Sequence, residues 1–303
     1  MIVYRELSSL EQDLGVPAKT LYALSNNLAP HYRRVELPKH DGVRVLHVPD
    51  EILKSIQRRI AQTLLPLVPI SRYASAYRYD SSTTRNAAGH VGQAMLLKLD
   101  IRHFFDSVRY IQVKDLAFPP EIYAEPLRIL LAMLCYYEDG LPQGAPTSPA
   151  ISNIILCDFD ETVGAFCAAR GIRYTRYCDD MTFSGDFDAA EVKAFVMQQL
   201  NQRGFCLNFE KTRLQYASMR QSVTGIVVNQ KLSVPTEYRR ELRKALYYCK
   251  KFGVSSHLER IGLDCDADKY CQKLLGKVNY VLQIDPSDVE MQQARVWLRK
   301  LIF

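Results

Sequence analysis

IRYTRYCDDMTFSG, residues 172–185, holds two adjacent carboxylates, Asp179 and Asp180, between two runs rich in β-branched and aromatic residues. Ile172, Tyr174 and Arg176 alternate with Arg173, Thr175 and Tyr177, and Met181, Thr182 and Phe183 follow the acids. This pattern predicts a β-hairpin with the acids at its turn. No Asn-Gly or Asp-Gly is present, so turn preference does not account for them. Neighbouring carboxylates repel, which raises the pKa of one unless a cation neutralises the pair. Mg²⁺ suits that task, because it takes carboxylate oxygens and keeps positions open for phosphate. A solvated acidic turn has the same letters, so the choice depends on the rest of the chain.

Upstream, AMLLKLD (94–100) is an apolar run that ends in Asp100, which places this acid at the edge of a sheet, where ligands bind. Three carboxylates converging from two strands can hold two Mg²⁺ ions, one activating a 3′-hydroxyl and one stabilising a leaving pyrophosphate. Phosphoryl transfer needs mainly this placement of charge, with cations on the triphosphate. GLPQGAPTSP (140–149) is too rich in Gly and Pro for regular structure and leads into an apolar helix expected over 150–167.

Outward from this centre, residues 5–29 read as two short helices and 32–48 as a hairpin turning at His40-Asp41-Gly42 and carrying Arg33, Arg34, Lys39 and Arg44. A helix over 50–66 has Asp50 as its N-cap and Pro66 at its end. A polar, Tyr-rich loop reaches to His90. Residues 112–137 are mostly helical, a helix lies within 186–204, and 206–214 and 222–235 read as strands. After Pro235 comes TEYRRELRKALYYCKKF (236–252), a helix with Leu242, Ala245, Leu246 and Cys249 on one face. Arg239, Arg243 and Lys250 line one flank, and Arg240, Lys244 and Lys251 the other. Helices over 267–283 and 286–302 follow.

The chain has 303 residues, 48% hydrophobic and 24% charged, which fits a globular protein and argues against disorder. A net charge of +6 is compatible with a nucleic-acid partner. The eight cysteines form no C-x-x-C pair, which points to reduced thiols in the cytoplasm. The first residues resemble neither a signal peptide nor a membrane span.

Taken in order, the motifs resemble those of a reverse transcriptase, and more narrowly of a bacterial retron reverse transcriptase. LKLDIRHFF is similar to the family's first catalytic motif, GLPQGAPTSP to its dNTP-binding loop, YCDD to its Tyr-x-Asp-Asp motif, and LNFEKT to its Lys-bearing motif. NAAGH (86–90) and VTG (223–225) narrow the resemblance to retron enzymes. One departure is Cys178, where those enzymes mostly carry Ala; both are small.

The resemblance implies an α+β right-hand polymerase with fingers, an antiparallel-sheet palm and an α-helical thumb. Residues 1–93 would be N-terminal helices and fingers, 94–235 palm with a fingers insertion at about 112–148, and 236–303 an RNA-binding thumb. It implies Asp100, Asp179, Asp180 and the carbonyl of Ile101 as ligands of two Mg²⁺ ions. Lys211 would be the proton donor to pyrophosphate; a plain surface lysine is the other reading. Lys39, Arg44, Gln143 and Gly144 would hold the dNTP. Phe105 would be a steric gate against a 2′-hydroxyl, or a core residue beside Phe104. Asn86 and His90 would touch RNA or cap local structure. Arg239, Arg240, Arg243, Lys244, Lys250 and Lys251 would meet RNA phosphates, or be a solvated face.

The activity implied is RNA-directed DNA synthesis from dNTPs, copying a structured non-coding RNA that is both primer and template. Synthesis would start at a guanosine 2′-hydroxyl and give a multicopy RNA–DNA hybrid, in antiphage defence with an effector protein. A chain ending at 303 leaves no room for an RNase H domain, so a host RNase H would remove template. Two other readings stay open: another bacterial reverse transcriptase, stand-alone or intron-derived, and an RNA-binding scaffold with incidental catalysis.

Overall fold

The structure, a computed structural model, describes residues 4–39 and 42–302, with only the backbone of Lys39. The expected turn residues His40 and Asp41 lie outside the described residues.

Local chemistry sets most element ends. α1 (Leu7–Leu14) stops at Gly15, in the left-handed region at φ +57°, and α2 (Ala18–Asn26) starts after Pro17. β1 (Tyr32–Lys39) and β2 (Gly42–Pro49) form the expected antiparallel hairpin, Tyr32 opposite Pro49. Asp50 caps α3 (Glu51–Arg59) by accepting the Leu53 amide at 2.9 Å. This helix then widens into a π turn over Ile60–Leu64.

The expected long loop contains α4 (Thr83–Ala88), capped by the Ser82 hydroxyl. Its 6 residues are too few for apolar periodicity to register. β3 (Met95–Asp100) is the predicted apolar strand. A single turn, α5 (Tyr110–Gln112), and α6 (Glu125–Cys135) occupy the next helical region. The one helix expected over 150–167 is two, α7 (Ser148–Ile155) and α8 (Cys157–Ala168), because Leu156 leaves the helical region with ψ near 7°.

β4 (Arg173–Tyr177) and β5 (Asp180–Gly185) are the predicted acid-bearing hairpin, and Asp188 caps α9 (Ala189–Gln202). The strand expected over 206–214 shrinks to β6 (Arg213–Tyr216), preceded by a 3₁₀ turn at Phe209–Lys211. β7 (Ser222–Val223) and β8 (Ile226–Val227) pair through the left-handed residues Thr224 and Gly225. α10 (Thr236–Phe252) has the expected bounds, between Pro235 and Gly253. α11 (Val254–Arg260) was not expected; α12 (Ala267–Ile284) and α13 (Val289–Ile302) were.

The strand order β4-β5-β3-β6 sets the acid-bearing hairpin beside β3, the strand that ends in Asp100. Contacts divide the chain into two units. The first takes residues up to Asp80 with Leu97–Phe183 and Phe187–Arg213; the second takes Ser81–Leu96, Ser184–Asp186 and the chain from Leu214 on. The first buries Leu53, Ile56 and Ile60 of α3 and Leu130, Leu131 and Leu134 of α6. The second buries Leu242 and Leu246 of α10 among Val278, Val281, Met291 and Leu298 of α12 and α13. Among the described residues no helix is long and apolar enough to cross a membrane.

Candidate active site

The alternation in β4 puts Ile172, Tyr174 and Arg176 inward, all buried, and carries the chain to a two-residue turn. Cys178, the first residue of that turn, has φ +61°, a strained conformation for a side chain with a Cβ. Its thiol is buried, and burial first and the Asp179 charge second push its pKa up to about 11. Cys178 therefore adds no negative charge at neutral pH. The Ile101 amide, just past the end of β3, donates to the Asp179 carbonyl at 3.1 Å.

Asp100, Asp179 and Asp180 line one cavity of about 1070 Å³, together with Arg44, Phe105, Gln143 and Lys211. Asp100 is 3% exposed. Its Oδ2 accepts from Lys211 Nζ at 2.7 Å, and its buried Oδ1 has no partner among the described residues. Asp180 has surface open to solvent, yet the protein packed around it desolvates its carboxyl. That burial comes first and the Asp179 charge second; Asp100 adds to them, and Lys98 and Lys211 oppose them, with a net rise to about 6. Burial alone would lower the Lys211 pKa, but its hydrogen bond to Asp100 and the charges of all three acids outweigh burial and raise it.

These groups fit a divalent cation. An orphaned carboxylate oxygen and a second carboxyl whose charged form burial and a neighbouring acid disfavour are what a hard cation relieves. Among the described residues no three His, Cys, Asp or Glu side chains are already gathered as a metal cage. Lys211 supplies the positive charge next to Asp100 instead.

The remaining cleft residues differ in what holds them. Both Phe104 and Phe105 border the cavity, but Phe104 is buried against Phe205 whereas Phe105 is partly exposed, so of this pair the core residue is Phe104. The close approach expected of Gly144 is to the protein's own chain: a Cβ there would lie 2.9 Å from the His47 carbonyl oxygen, and its φ of +123° suits only glycine. The adjacent Gln143 carbonyl accepts the His47 amide at 2.8 Å. Arg44 is exposed on β2, and the side chain of Lys39 lies outside the described residues. Tyr77, which the sequence did not single out, also lines the cavity and donates its hydroxyl to Cys178 Sγ at 3.5 Å.

Among the candidate RNA-binding residues, Asn86 and His90 are 3% and 0% exposed, and His90 Nδ1 is 2.6 Å from Ser184 Oγ. Both belong to the interior, which agrees with the other reading of them, that they hold local structure. On α10 the two basic flanks are unlike. Arg239 pairs with Asp288, Arg243 Nε donates to Glu290 at 2.6 Å, and Lys250 lies 5.3 Å from the Trp297 ring centre. This flank is tied to α13. Arg240, Lys244 and Lys251 are exposed on the other, with Lys251 also over the rings of Tyr247 and Phe252.

Residues 37–228 match the family described as reverse transcriptase (RNA-dependent DNA polymerase). The chain belongs to that family. It is 34% identical over 281 residues to the retron Mx65 reverse transcriptase of Myxococcus xanthus, covering 86% of this chain and 63% of that one. It is 28% identical over 267 residues to the retron Ec86 reverse transcriptase of Escherichia coli, covering 86% and 82%. The chain thus spans less than two thirds of the length of the first relative. The expected resemblance to retron reverse transcriptases is borne out. Among solved structures, apo telomerase from Candida tropicalis superposes with a TM-score of 0.50 at 12% identity, covering 89% of this chain and 57% of that one. The fold is α+β and of the right-hand polymerase type, as the motifs led one to expect.

Proposed function

We propose that this protein is the RNA-directed DNA polymerase of a retron. The observation that carries this reading is the convergence of Asp100, Asp179 and Asp180 on a cleft that Phe105 and Gln143 also line. A primer hydroxyl attacks the α-phosphate of a dNTP, a phosphodiester bond forms, and pyrophosphate leaves. Two Mg²⁺ ions, held by the three aspartates and the Ile101 carbonyl, would supply hydroxyl activation and neutralise the leaving group. Arg44 and Lys39 are proposed to meet the triphosphate, and Lys211, on leaving Asp100, to protonate pyrophosphate. Purified protein given a primed RNA template, dNTPs and Mg²⁺ should extend the primer. Absence of extension with either Mg²⁺ or Mn²⁺ would overturn the reading.

Fingers (residues 1–93), palm (94–235) and thumb (236–303) are the proposed division of labour. The proposed substrate is a structured non-coding RNA, primed from a guanosine 2′-hydroxyl, with the hybrid product acting in antiphage defence beside an effector. A host RNase H would remove template, and the setting would be the cytoplasm. Treating copurified nucleic acid with a 2′–5′ debranching enzyme tests the priming: conversion to linear DNA is expected, and an unchanged product counts against it.

Phe105 is the proposed sugar gate. A wall of fixed shape discriminates single added groups by roughly 10–200-fold. Phe105→Ala should therefore raise rNTP incorporation relative to dNTP by about that range. A variant that extends with dNTPs and rejects rNTPs as before would place the gate elsewhere.

For RNA capture, the exposed flank of α10 is the part free to meet phosphates. Arg240→Glu, Lys244→Glu and Lys251→Glu together should remove the copurifying hybrid and weaken RNA binding on the order of a hundredfold at physiological salt, given the steep salt dependence of such contacts. Extension on a generic primer–template at low salt should survive. Undiminished RNA binding would make this flank a solvated face only.

A further inference from the structure

Arg176 is fully buried, and the reaction proposed above makes no direct use of it. Its Nε and Nη2 grip Asp160 of α8, the shortest contact being 2.6 Å, and the Tyr174 hydroxyl donates to the same carboxylate at 2.8 Å. That pairing satisfies the charge. The third edge of the guanidinium is spent differently: Nη1 donates to the Cys178 carbonyl at 2.9 Å and to Asn153 Oδ1 at 3.2 Å. Asn153 in turn donates to the Ala76 carbonyl at 2.8 Å, next to Tyr77 in the cleft wall. Asp179 is thus held by its backbone on both sides. The carbonyl before it is taken by Arg176, and its own carbonyl by the Ile101 amide at 3.1 Å.

We propose that Arg176 is a positioning residue for the polymerase reaction: its guanidinium holds the left-handed Cys178 peptide and thereby fixes the Asp179 carboxylate against Asp100. This rests on the polymerase reading. The argument is one of geometry. A turn whose first residue has φ +61° without being glycine persists only where its surroundings hold it. A planar fork with fixed donor directions can serve a carboxylate on one edge and a carbonyl on another; a lysine ammonium cannot do both.

The test is the single-turnover rate of nucleotide incorporation by Arg176→Lys. Losing one hydrogen bond from a charged donor at the turn should slow that rate roughly ten- to a hundredfold, with dNTP affinity within about twofold. A purely structural role would reduce the amplitude of the first turnover, through fewer folded molecules, and leave its rate unchanged. That result overturns the proposal. If Arg176→Lys does not fold, Asn153→Ala decides, since it removes one of the two acceptors that orient Nη1 towards the Cys178 carbonyl and should slow the same rate severalfold; a wild-type rate there also overturns it. Wild-type protein that fails to incorporate at all would refute the polymerase reading itself, a different outcome from a wild type that works and variants that match it.

Discussion

Asp179→Ala and Asp100→Ala should each reduce primer extension to background, roughly a thousandfold or more below wild type, while the protein remains folded. Both acids border the same cleft, and the two-metal phosphoryl transfer proposed above would lose its charge placement without either. The two variants should differ in what they leave behind. Removing Asp179 takes a repelling charge away from Asp180, whose carboxyl burial first and the Asp179 charge second raise to about 6. Removing Asp100 takes away the hydrogen-bond partner of Lys211, freeing a lysine that is already half exposed. Neither leaves a buried charge without a partner, so thermal unfolding should move by only a few degrees. Extension by either variant at more than a few per cent of the wild-type rate would remove these acids from the reaction.

Asp160→Ala should be the most destabilising of the single changes considered. Asp160 and Arg176 are both 0% exposed. Breaking such a pair strands a guanidinium in the interior, a cost of about 3–5 kcal/mol against a typical total of roughly 5–15 kcal/mol. Urea denaturation of the variant should show a midpoint shift of that size with little change in slope. A loss below about 1 kcal/mol would mean that Arg176 finds solvent or another acceptor without disturbing the turn. The pair is weak evidence for overall stability, since apolar residues could fill the same volume. The same guanidinium also bonds the Cys178 carbonyl, next to Asp179.

What the sequence made legible was local or rhythmic. Pro235 and Gly253 punctuate α10, and an apolar stripe runs between them, so its bounds could be read directly. The acid-bearing hairpin announced itself by alternation, and Asp100 by ending an apolar strand. What escaped depends on partners far away in the chain. Nothing near Arg176 in sequence names Asp160, although a charged residue on the same face as Ile172 and Tyr174 was a signal that a buried acid had to exist. The break at Leu156 has no Gly or Pro to mark it. The two basic flanks of α10 look alike as letters; only the approach of Asp288, Glu290 and Trp297 shows that one of them is engaged within the protein. Asn86 and His90 read as polar loop residues because α4 is too short to show a period.

Gly144 and Gln143 hold one residue of β2 through its backbone, the His47 amide by a hydrogen bond and the His47 carbonyl by contact without a Cβ in between. Side chains can swing aside, but peptide planes so closely apposed cannot slide without breaking the bond. The hairpin that carries Arg44 and the loop that carries Gln143 therefore behave as a single lever. Arg44 and Gln143 border one cleft, so a shift of the hairpin against the loop there would first have to break the His47 bond.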